Sequence, residues 1–179
     1  MDKDTLPGSY FELKKDNIKI FLPSYFDEFS EQTYGELIDA LPDSEDKQLE
    51  KKRFNFLKFS KGNTYYFTDV ALSTLIVVKM MAYMPFTRQD SSYLLGILSA
   101  QCEDYALNFG TACRKITAGH SGSVKTSVFK AVYEITKEDT YQTFNTTYLI
   151  SSNYKTFSIN IYSKRDTNYN QYIEKIVVK

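Results

Sequence analysis

Along Lys155 to Ser163, Phe157, Ile159 and Ile161 alternate with Thr156, Ser158 and Asn160, so the two sets point to opposite sides of an extended chain. Three further runs precede it with only short polar turns between them: Ile116 to Val124, Val128 to Ile135 and Thr143 to Ser151. Parallel pairing needs crossover segments of a dozen residues or more, and none fits between these runs, so they predict an antiparallel meander. The period then changes. From Asp166 or Thr167, either a suitable N-cap, Tyr169, Tyr172, Ile173 and Ile176 recur at three- and four-residue steps, which predicts a closing helix with one face for the sheet.

Upstream, Phe11 and Leu13 alternate before Lys14-Lys15-Asp16-Asn17, and Ile18, Ile20 and Leu22 alternate after it, which reads as a hairpin ended by Pro23. Between Ser24 and Pro42 the spacing predicts one short helix, Gln32 to Leu41. Ser44 to Lys52 favours helix, whereas Phe54 and Phe56 alternate and place a helix-to-strand boundary somewhere before Gly62. Tyr65 to Phe67 reads as a strand. Thr74 to Met84 is apolar on both faces and predicts a strand covered on both sides. Leu94, Leu98, Cys102, Tyr105 and Phe109 form one helical stripe that starts at Asp90 or Ser91 and ends at Gly110. This order of elements predicts the α+β class, a mostly antiparallel sheet sandwiched between helices. No repeat or linker divides the chain, so residues 1–179 read as a single domain with a flexible segment at 1–9.

Charge excludes several functions. The 22 basic and 22 acidic residues cancel, which removes the electrostatic case for nucleic acid or an anionic membrane surface. The longest apolar stretch, Val70 to Val78, is too short to span a bilayer. The start, Met-Asp-Lys-Asp-Thr-Leu-Pro-Gly, carries no signal-peptide core; as written the chain reads as cytoplasmic, and as extracytoplasmic if a leader has been removed.

Candidate chemistry is sparse. His120, the only histidine, lies in the small-residue segment Ala-Gly-His-Ser-Gly-Ser, read as a strand-connecting loop. The segment fits neither a nucleophile elbow nor a phosphate loop: Ser123 stands where the elbow's last Gly belongs, and Gly122 and Lys125 miss the phosphate-loop spacing. Cys102 falls on the apolar stripe and Cys113 lies just beyond Gly110; sequence leaves their pairing open. A Cys113–His120 pair lacks an orienting third group. Glu28, Glu36, Asp39, Glu103, Asp104, Glu138 and Asp139 read as solvated faces, and Met80, Met81 and Met84 as core filling. Asn145-Thr146-Thr147 matches a glycosylation sequon inside a predicted strand. No cofactor or metal site is expected.

The hairpin from Phe11 to Pro23, the long helix before the meander and the closing helix after Phe157-Ser-Ile-Asn-Ile-Tyr162 together resemble the PsbP/Mog-like fold. The segment Tyr34 to Phe59 is an insertion relative to that pattern. The resemblance implies binding and assembly work rather than turnover, since the superfamily includes an extrinsic photosystem subunit, a nuclear transport cofactor and bacterial lipoproteins or chaperones. The leading expectation is therefore a non-enzymatic accessory domain that recognises a protein partner through a sheet face or hairpin edge. The alternative is a small-ligand pocket between the long helix and the sheet, with Tyr83, Tyr105, Tyr133 and His120 as binding candidates. A hydrolase using Cys113 or Ser121 is a third reading.

Overall fold

The alternating runs of the last third pair into the meander that their spacing requires. The computed structural model describes residues 6–58, 61–69, 71, 73–138 and 141–179. In it β6 (Ala112–Gly122), β7 (Thr126–Lys137), β8 (Tyr141–Ser152) and β9 (Lys155–Ser163) are consecutive antiparallel neighbours. β9 also pairs with β5 (Thr74–Met81), β5 with β4 (Thr64–Asp69) and β4 with β3 (Phe26–Phe29), which completes a seven-stranded antiparallel sheet. The hairpin is formed by β1 (Ser9–Leu13) and β2 (Ile18–Leu22), with Asn17 in the left-handed region at its turn. Its second strand also takes up β10 (Val177–Val178), so the hairpin belongs to a separate three-stranded sheet.

The helices are α1 (Glu31–Asp39), α2 (Glu45–Lys58), α3 (Ser91–Phe109) and α4 (Asn170–Ile173). Ser30 caps α1 by accepting from the Thr33 N–H, and the last carbonyls of α1 are met from α2, where buried Lys47 donates to the carbonyls of Asp39 and Leu41. A 3₁₀ turn (Arg88–Asp90) leads into α3, with Thr87 and Asp90 forming a capping box around it. Gly110 ends α3 with φ 66°, the left-handed conformation expected there.

Each face of the large sheet has its own cover. On one face Ile76, Val78, Phe157, Ile159, Ile161, Tyr148 and Ile150 pack against Leu13, Ile18, Ile20 and Leu22 of the hairpin and Tyr169 and Ile173 at the C-terminal turn. On the other face α3 packs through Leu94 and Cys102 on Phe129, Ala131, Tyr133 and Leu149. Beside it, α1 and α2 pack through Tyr34, Ile38, Phe54 and Leu57 on Tyr66, Leu75 and Val77. The chain is thus α+β, an antiparallel sheet with helices on both faces, the hairpin sharing the cover on the α4 side.

Several expectations shift. The closing helix predicted from Asp166 or Thr167 is one turn starting after Tyr169, because Val177 and Val178 continue as an edge strand on β2; its apolar face still covers the sheet. β3 was not foreseen, since its interior is Asp27-Glu28 and only Phe26 is fully buried. The alternation at Phe54 and Phe56 belongs to a helix: α2 runs on to Lys58, with Phe54 and Leu57 three residues apart on its buried side and Phe56 exposed. Ser9 already pairs with Leu22, so the segment 1–9 reaches into β1. Met1 to Thr5, Phe59 at the end of the insertion, Val70 and Leu72 in the apolar stretch and Asp139 lie outside the described residues. Among the described residues no helix is long and apolar enough to cross a membrane.

Candidate functional site, a cavity between the helices and the sheet

The two helical clusters on one sheet face have separate buried cores, α2 and α3 touching through the rings of Phe56 and Phe109. Where they part, strand register brings a block of polar side chains to that face. β5 to β9 pairing aligns Leu75 with Tyr162, Val77 with Asn160 and Lys79 with Ser158. β8 to β9 pairing continues these rows to Asn145, Thr147 and Leu149, and β7 adds Tyr133, Ala131 and Phe129. Side chains two apart along a strand share a face, so this grid is the floor of a space roofed by α3 and walled by α2.

That space is a cavity of about 510 Å³, within the roughly 300–1,000 Å³ typical of small-molecule sites. Its roof includes Leu94, Leu98 and Tyr105 of α3, its wall Arg53, Phe56 and Leu57 of α2, and Met81 and Met84 also line it. The floor is internally bonded: Thr147 Oγ1 donates to Asn160 Oδ1 at 2.8 Å, and Asn160 Nδ2 donates to Ser158 Oγ at 3.0 Å. The Tyr133 hydroxyl is bonded to Ser99 Oγ of α3 at 2.8 Å.

Arg53 is the most constrained charge in this wall. Its side chain is buried, Nη2 donates to the Glu50 carboxylate, and the guanidinium lies 4.3 Å from the Tyr162 ring centroid. Burial raises the Tyr105 and Tyr162 phenols above the usual tyrosine range, with Arg53 opposing the shift in both, so each stays a neutral hydroxyl at physiological pH. Burial holds the Lys79 ammonium below the usual lysine range.

The four candidates from the sequence do not converge. Tyr105 and Tyr133 line the cavity, whereas Tyr83 and His120 lie outside it. Tyr83 is exposed beside Tyr154, with ring centroids 5.9 Å apart. The segment around His120 is not a loop: Ala118 to Gly122 continue β6, His120 pairs with Phe129, and the connecting turn is Ser123 to Lys125. The His120 ring stands perpendicular to that of Phe86, with centroids 6.2 Å apart. Cys102 and Cys113 form a disulfide, so Cys113 is not a free nucleophile, which removes the cysteine form of the hydrolase reading. Among the described residues no cluster of His, Cys, Asp and Glu is placed to hold a metal ion.

Arg53, Lys79, Asn145, Thr147 and Asn160 also line the cavity and were not among the candidates. Arg53 sits in a charged helical run that reads as solvated, and the polar side of β9 reads as facing water. One signal was present: two runs of the meander carry polar residues on alternate positions, Asn145 and Thr147 in one, Ser158 and Asn160 in the other. Neighbouring strands with matching polar faces under a long apolar helix suggest a polar cavity floor.

No protein-family profile and no curated protein matches the chain. Among solved structures it is similar to the solution structure of cyanobacterial PsbP (CyanoP) from Synechocystis sp. PCC 6803, with a TM-score of 0.62 and 10% identity over 100% of this chain and 96% of that one. The element order and the three-dimensional likeness agree: this chain has a PsbP-like fold.

Proposed function

We propose that this chain is a non-catalytic binding domain of the accessory kind, and that its binding element is the cavity between α3 and the sheet. The observation that carries the reading is the cavity itself, about 510 Å³ in volume, with apolar walls and a hydrogen-bonded polar floor. Its side chains suit recognition by shape and hydrogen bonding. None is arranged as a nucleophile with a base and an orienting partner.

Filling the cavity tests this. Leu98→Trp places an indole in the space under α3. Native mass spectrometry of the full chain purified from its own cells is expected to show a co-purifying small molecule that the variant loses. A wild-type chain that carries nothing, and whose thermal midpoint no small molecule raises, would overturn the reading.

A protein partner is the second reading, favoured by a separate exposed cluster. Tyr83, Tyr154 and Val124 are 51%, 82% and 106% exposed, and all three line a shallow depression at the end of the sheet where the β6–β7 and β8–β9 turns lie. Exposed aromatic side chains grouped in this way suit a protein interface. The hairpin turn suits it less, because the Asp16 carboxylate accepts from Asn63 Nδ2 and from the Tyr65 hydroxyl and so fixes the turn to the large sheet. A partner held at the aromatic cluster is expected to be lost on combined Tyr83→Ser and Tyr154→Ser substitution, while ligand retention in the cavity stays unchanged.

A further inference from the structure

The cavity's hydrogen bonding and charge are both unfinished. Arg53 is 4% exposed, and its Nε–H has no partner among the described residues although Nη2 is bound to Glu50. Asn145, aligned with Tyr162 in the floor, has a buried Oδ1 with no partner, one unused acceptor beside the donors. Between these and Lys79 lies the chain Thr147, Asn160, Ser158, in which the Ser158 hydroxyl hydrogen and the second hydrogen of Asn160 Nδ2 have no acceptor among the described residues.

Charge points the same way. The Arg53 guanidinium is matched by Glu50. Lys79 lines the cavity and has no ion pair among the described residues, and burial disfavours its charged form. The acidic residue at the lining, Asp104, is exposed to water on α3. A shielded ammonium above unused N–H and O–H donors is complementary to an anion. The roof and mouth, with Leu94, Leu98, Phe56, Met81 and Met84, are complementary to an apolar body.

We infer that the cavity takes an amphipathic monoanion, a carboxylate on an unbranched apolar chain. Its head lies on the Thr147–Asn160–Ser158 floor between Arg53 and Lys79, and its chain lies under α3. The inference rests on reading the cavity as a ligand site. Ser158 and Tyr162 stand four residues apart on β9, about 13 Å of strand, so a head over Asn160 has both cationic side chains on its flanks.

Titration of the full chain with octanoate and with chain-matched octanol, followed by heteronuclear NMR, tests it. Octanoate is expected to bind at least about tenfold more tightly than octanol, shifting Asn145 and Asn160 side-chain amides, with Lys79→Met and Arg53→Met each narrowing that preference to about threefold or less. Arg53→Met removes the partner of Glu50; if that variant does not fold, Lys79→Met alone decides. Equal affinity for the two compounds overturns the anion inference and leaves the ligand-site reading standing. Preference for octanoate that survives Lys79→Met places the head elsewhere and also overturns it. Absence of any cavity shift with either compound overturns both the inference and the ligand-site reading.

Discussion

At the scale of single residues, buried polar groups decide local stability by whether they find partners. Thr156 is 0% exposed; its Oγ1 donates to the Met84 carbonyl at 3.1 Å and accepts from the Met84 N–H at 2.8 Å, tying the segment after β5 to β9. Thr156→Val keeps the volume and leaves both backbone groups of Met84 unpaired, at a cost of about 2 kcal/mol. Thermal unfolding is expected to show a midpoint lower by about 4–8 °C. Lys79 is the opposite case. Its folded-state pKa lies below the ordinary 10.5 because burial penalises the ammonium. The penalty is therefore present in full at pH values below the folded-state pKa and is relieved as pH rises through it toward the unfolded value. Lys79→Met is expected to raise the thermal midpoint at neutral pH, with the gain shrinking as pH approaches 10.5; a gain independent of pH would show that the ammonium carries no such penalty.

At the scale of elements, α3 is held by chemistry as well as by packing. Its apolar stripe was legible because Leu94, Leu98, Cys102 and Tyr105 recur at helical spacing, and Gly110 marks its end. The bond from Cys102 to Cys113 then ties the helix to β6, the edge strand of the sheet, across a separation of 11 residues. Closing a loop of that length restricts the unfolded chain by about 2.8 kcal/mol. Cys102→Ser with Cys113→Ser is expected to lower the thermal midpoint by about 6–11 °C, with most of the loss reproduced by reductant on the wild-type chain. Because α3 roofs the cavity, the same double variant is expected to weaken retention of the proposed ligand. β6 is otherwise mostly exposed, and its register slips between Lys115 and Thr117, a bulge that twists this edge away from regular pairing.

At the scale of the molecule, legibility follows how local the cause is. The meander, the hairpin, the both-faces-buried strand and the long helix were readable because each is set by periodicity within a dozen residues. β3 was not, because a four-residue strand with an acidic centre forms only where β4 offers it an edge. The closing helix shortened for a similar reason: Val177 and Val178 have β2 available as a partner. The site was the least legible part. Tyr105 and Tyr133 were named as pocket residues, and they line the cavity because each lies on the inner face of its own element. Tyr83 and His120 were named with them and lie elsewhere: the strand read as running to Met84 stops at Met81, short of Tyr83, and His120 lies on β6 at the edge of the sheet. Arg53 shows the limit most clearly. From the sequence it is one cation among the charged residues of α2, ordinarily solvated; in the fold it is 4% exposed, stacked on Tyr162 from a strand more than a hundred positions later. The class of the fold and most of its elements were written in the residues themselves, because hydrophobic period and chain stiffness act over short stretches. Where the two helical clusters part, and which polar groups are stranded between them, was decided by tertiary packing, because burial is a property of neighbours that only the folded chain brings together.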